Sequence, residues 1–201
     1  MTITNGYITL ANLKNYLKID DSVEDTLLES IIESASRSID KIANRRFYLD
    51  ATATARTYRP ANIMRVITDD IGSTSGLILK TDPDTSGNYQ TTLTLGTDYI
   101  VEPTNALVQG YPVTYLTIVS SNAFSYAINY RPTVQVTAKW GWPTVPDDVE
   151  QATYILSADL YKRKDSIGGV LGLSELGAIR MSPLGRDIAA MVRAYRREFF
   201  A

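Results

Sequence analysis

The chain has 201 residues, 44% of them hydrophobic, and a formal net charge of −2. That is enough apolar material for a core, and too little positive charge for a surface that grips nucleic acid all round. There is no cysteine and no histidine, which excludes disulfides, thiolate metal sites, thiol nucleophiles and the commonest general base. The N-terminus, MTITNGYITL, lacks a basic region followed by a long apolar run, and no apolar run approaches the roughly 18 residues of a membrane span. A soluble protein made in a cytoplasm, without membrane contact, is expected.

Thr9 is placed to cap a short helix whose Leu10, Leu13 and Leu17 share one face. Asp20-Asp21-Ser22 breaks that helix, and Ser22 with Asp25 fits a capping box for the next one. The second helix carries the clearest stripe in the chain: Leu27, Leu28, Ile31, Ile32, Ala35, Ile39 and Ile42. It is expected to end near Asn44, with Arg45 and Arg46 at the negative end of its dipole. From residue 51 to residue 140 threonine, tyrosine, valine and isoleucine dominate, and turn residues interrupt at short intervals. Strands are expected near 52–59, 64–68, 77–80, 99–102, 113–119 and 133–139. Residues 82–88, DPDTSGN, read as a loop whose turns come from proline, glycine and short polar side chains, and residues 120–130 fit either strand or loop.

Val134, Val136, Ala138 and Trp140 alternate with polar residues, the period of a half-buried strand. Gly141-Trp142-Pro143 ends it, and Pro146 with Asp147, Asp148 and Glu150 starts a helix. Trp140, Gly141, Trp142, Pro143 and Pro146 therefore form a structural corner between a β region and an α region. Trp140 continues the apolar face, and Trp142 is taken as a plug of that corner in preference to an interface anchor. Residues 166–181, with four glycines among Ile167, Val170, Leu171, Leu173 and Leu176, read as a loop ordered by a partner. The last helix is expected to start with Ser182 as cap and Pro183 at its first position. Leu184, Ile188, Met191, Val192, Tyr195 and Phe199 then line one face. Arg186, Arg193 and Arg197 lie roughly opposite, with Arg196 beside them.

The helical segments at the two ends should pack together as a small bundle, with the β-rich lobe inserted between them, an α+β fold. The expected domains are 1–50, first part of the helical core; 51–140, the β lobe; and 141–201, second part of the core. No catalytic constellation is evident. The pairs Asp20-Asp21 and Asp147-Asp148 precede helices and read as capping acids, and Asp69-Asp70 as a turn. The glycines at 168, 169 and 172 follow a helix and have no lysine after them, unlike a phosphate loop. The arginine stripe fits contact with an acidic partner or phosphates, and equally a solvated helix face. From the residues alone, a nucleic-acid-binding module using Arg186, Arg193, Arg196 and Arg197 and a hydrolase using paired carboxylates stay open.

Four stretches taken together resemble the head–tail connector, or head-completion adaptor, proteins of long-tailed bacteriophages. They are the two N-terminal helices closing on Arg45-Arg46-Phe47; LGTDYIVEP at 95–103; the strand, Gly-Trp corner and helix of 136–166; and the close of the chain, with Arg180, Ser182-Pro183, Asp187 and Tyr195-Arg196-Arg197. The resemblance implies a structural virion protein of the neck, not an enzyme and without a cofactor. It implies a ring of about a dozen copies below the portal protein. The ring extends the channel through which DNA passes, without reading its sequence, and gives a platform for the next neck, stopper or tail protein. The residues assigned to the portal or the adjacent subunit are Arg186, Arg193, Tyr195, Arg196, Arg197, Val170, Leu171 and Leu173.

Overall fold

Thr9, itself extended, starts helix α1 (Leu10–Leu17): its Oγ1 accepts from the Asn12 N–H at 3.2 Å. Removing that oxygen in Thr9→Ala should cost about 1 kcal/mol, the usual worth of such a cap, read as a lower urea midpoint at unchanged slope. The computed structural model describes residues 3–125, 131–164, 170–174, 177–180 and 185–197, with side chains at 3–125, 131–164 and 187–197. Two compact units divide the chain, one of residues 1–46 and 145–201, the other of 47–144.

In the first unit, α1 is followed by α2 (Asp25–Ala43), α3 (Asp147–Arg163) and α4 (Gly185–Val192). The stripe of α2 is buried at Leu28, Ile31, Ile32, Ala35 and Ile39, while Leu27 is 40% exposed. The expected capping box does not form. Glu24 stands at the cap without a side-chain bond to the helix's free N–H groups, and Asp25 is engaged by Lys14 Nζ at 2.7 Å instead. Asn44 ends the helix in the left-handed region, at φ 55°. α3 begins behind Pro146, with Asp147, Asp148 and Glu150 in its first turn, where carboxylates favour the free N–H groups and the dipole. α2 packs on α3 and α4, and α3 on α4, so helices from both ends of the chain share one core. Ile8, Leu13, Leu28 and Ile32 are its apolar centre, with Tyr154 and Tyr161 against them.

Two expectations for the C-terminal part change. The glycine-rich stretch is not a loop throughout: two strands, Val170–Ser174 and Gly177–Arg180, pair antiparallel. Gly172 falls where the register shifts between Val170 and Leu173, and a residue without Cβ suits a bulge. The neighbouring valine, leucines and isoleucine favour extended chain, and outweigh the glycines. The last helix is also shorter than its apolar periodicity suggests. Ile188 and Val192 are buried, but a 3₁₀ turn, Arg193–Tyr195, follows, and Arg196 is extended. The expected cap at Ser182 and Pro183 lies outside the described residues.

The second unit is a six-stranded antiparallel sheet: β1 (Thr54–Tyr58), β2 (Arg65–Thr81), β3 (Thr91–Leu93), β4 (Tyr99–Glu102), β5 (Val113–Ile118) and β6 (Val134–Trp140). Its order is β1-β6-β2-β5-β4, with β3 on β2. The strands expected at 64–68 and 77–80 are one strand of 17 residues. Its first part pairs with β5 and its later part with β6 and β3, and the register shifts around Ile71 and Ser73. Asp69 and Asp70 are thus strand residues, not a turn. Asp69 accepts from Arg56 Nη1 at 2.6 Å and Tyr58 Oη at 2.9 Å. β6 alternates buried and half-buried residues along its length. Its inner face joins Val66, Ile71, Leu79, Tyr99, Val113 and Leu116 in the core. Residues 82–88 do form a turn, in which the buried Asp82 carboxylate accepts from the Ser86 and Gly87 N–H groups.

Trp140 is fully buried, and its Nε1–H donates to the Thr54 carbonyl at 2.9 Å. Gly141 has φ +114°. Trp142 is 1% exposed, its ring lies 5.2 Å from Phe47 and 5.6 Å from Tyr111, and its Nε1–H donates to Asp70 Oδ2 at 3.3 Å.

Candidate assembly interface

The end of α2 fixes Arg197 of the first unit. An α-helix leaves its last carbonyls without intrahelical donors. Here the Arg197 N–H donates to the Ala43 carbonyl at 2.9 Å, and Asn44 Nδ2 donates back to the Arg197 carbonyl at 3.1 Å. Tyr195 Oη donates to Asp148 Oδ2, in the first turn of α3, at 3.2 Å. These bonds draw the chain out of helix after Val192. A straight arginine stripe therefore does not form. Arg193 opens the 3₁₀ turn and Arg196 is extended, both exposed. Arg193, Tyr195, Arg196 and Arg197 come together in this one short segment. Arg186 lies on α4, and Val170, Leu171 and Leu173 on the hairpin strand Val170–Ser174. Trp140, Gly141, Trp142 and Pro143 belong to the second unit, and Pro146 stands at the cap of α3.

A second surface of the first unit was missed. At the turn between α1 and α2 a cleft of about 580 Å³ is lined by Ile19, Asp20, Asp21, Val23 and Tyr161, among others. Val23 is 88% exposed. The acids there look in the sequence like helix-breaking residues, but Asp21 only accepts from the Val23 N–H, at 3.0 Å. The available signal was Val23 itself, an apolar residue set among acids in a break. Next to the cleft, Lys164 and Tyr161 both donate to Glu24. The Lys164 bond, then the Tyr161 bond, hold that carboxyl below its usual range. Lys164 Nζ also sits 4.3 Å from the centre of the Tyr161 ring.

Among the described residues no three acids gather as a metal site, and no helix is long and apolar enough to cross a membrane. What the surface offers is exposed cations in one place and exposed apolar and acidic groups in another. Surfaces of both kinds suit contact with other macromolecules.

The sequence model of the phage gp6-like head–tail connector proteins matches residues 7–103, just under half of the chain. No curated protein matches the sequence. In fold the chain is similar to a chain in the neck of an empty gene transfer agent particle, computed with C6 symmetry: 14% identity, TM-score 0.58, covering 100% of this chain and 95% of that one. A chain in the neck of the native particle, computed with C12 symmetry, matches at 14% identity and TM-score 0.58, covering 100% and 94%. A chain of the native virion matches at 17% identity and TM-score 0.53, covering 100% and 95%.

Proposed function

We propose that this chain is a structural virion protein, a head–tail connector subunit of the neck. The observation that carries this is the match of residues 7–103 to the connector family, which takes in α1, α2 and the sheet through β4. The likeness in fold to neck chains over the full length supports it. In this proposal about a dozen copies close into a ring below the portal, extend the DNA channel and carry the next neck, stopper or tail protein. Such a ring needs two different complementary faces on each subunit; α2 and the sheet unit supply much of them. Residues 166–201 reach the portal or the adjacent subunit, with Arg186, Arg193, Tyr195, Arg196, Arg197 and the apolar residues of Val170–Ser174 as contacts. As a scaffold part the protein takes no cofactor and catalyses nothing.

Electron microscopy of the protein mixed with tailless, DNA-filled heads should show a new ring at the portal vertex; heads that gain no density overturn the proposal. The competing assignment, a nucleic-acid-binding module, predicts that the isolated chain binds duplex DNA and loses affinity steeply as salt rises. A connector subunit should show little such binding, because DNA only passes through its lumen.

A further inference from the structure

The turn between α1 and α2 exposes apolar side chains from which an isolated subunit gains nothing. Val23 is 88% exposed and Leu27 40%. The cleft that Val23 lines also has Ile19 and Tyr161 in its wall, and its acids are unequally compensated. Glu24 is held by Lys164 and the neighbouring Asp25 by Lys14. Asp20 and Asp21 are exposed, and neither has a cationic partner among the described residues. Lys18, exposed, also lines the cleft. An apolar and aromatic wall with two carboxylates that lack a cationic partner suits arginine. Its stem covers apolar surface while its guanidinium forks onto carboxylates.

The same subunit offers that chemistry elsewhere. Arg193 and Arg196 are exposed and form no ion pair among the described residues. The main-chain bond from Arg197 to Ala43 ties their segment to the C-terminal end of α2, where Lys41 is also exposed. The cleft lies at the N-terminal end of the same helix. Nineteen helical residues separate the two by about 28 Å, at 1.5 Å of rise each. No subunit can join its own two ends across a rigid helix of that length. Two unlike, complementary patches at opposite ends of one element are what a head-to-tail contact requires.

We infer that the cleft beside Val23 receives the 193–196 segment of a second copy of this chain, Asp20 and Asp21 facing its arginines. The inference rests on the connector reading and names the contact that passes around the ring. Ring formation on tailless heads is compared for wild type, Asp20→Arg with Asp21→Arg, Arg193→Asp with Arg196→Asp, and all four together. Each pair of reversals should lower ring occupancy at least about tenfold, as losing close interfacial charge pairs does. The fourfold variant should recover most of it, which a misfolded protein cannot do. If wild type forms rings and neither pair matters, or the fourfold variant stays defective, this contact is wrong and the connector assignment stands. If wild type forms no ring, the connector assignment itself falls.

Discussion

Gly141→Ala is expected to destabilise the sheet unit by more than about 3 kcal/mol, judged from the cost of a forbidden backbone region together with broken main-chain bonds. At φ +114° this residue lies outside the range L side chains adopt. A Cβ built there would stand 1.8 Å from the Tyr48 carbonyl oxygen and 3.3 Å from the Leu49 Cα. The obstacle is backbone, so no rotamer change relieves it. Relief means moving the corner, and that strains two main-chain bonds: the Gly141 N–H to the Asp70 carbonyl at 2.8 Å, and the Asp50 N–H to the Trp140 carbonyl at 2.8 Å. Urea denaturation followed by circular dichroism measures the loss. A change under about 1 kcal/mol, the scale of one ordinary hydrogen bond, would mean that the corner yields easily.

Trp142→Ala should cost about 3–5 kcal/mol, as large-to-small changes at buried aromatics do. The indole fills the space between Phe47 and Tyr111, and alanine leaves that space empty. Trp142→Phe keeps most of the volume and gives up the bond to Asp70, so it should lose distinctly less. Circular dichroism is the proper probe, since the substitution itself changes the fluorescence. Were Trp142 an anchor for a partner, the alanine variant would unfold like wild type and fail only in assembly.

Those two residues show what could be read in advance. The alternation of β6 was legible because one face of that strand is wholly buried while the other is not. The stripe of α2 was legible for the same reason. β2 was not. Its middle, with Asp69, Asp70, Gly72 and three serines and threonines, has the composition of a turn. It stays extended because Arg56 and Tyr58, both distant in sequence, take up Asp69. Local composition carries no trace of such partners. The arginines near the C-terminus were visible as charges, but their arrangement was not, because a carbonyl at the end of α2 captures the Arg197 N–H and stops the helix early. Asp20 and Asp21 were visible as acids and assigned to helix ends. Only folding sets them beside Ile19, Val23 and Tyr161.

The bonds that tie Arg197 to the end of α2 use its main-chain N–H and C=O. Arg193 and Arg196, both exposed, can therefore change identity over evolutionary time while the segment stays where it is. Asn44 has no such freedom, since it supplies both the left-handed turn and the amide donor. Lineages of this protein should vary the cations and hold the asparagine, letting one backbone design keep pace with partners whose charges drift.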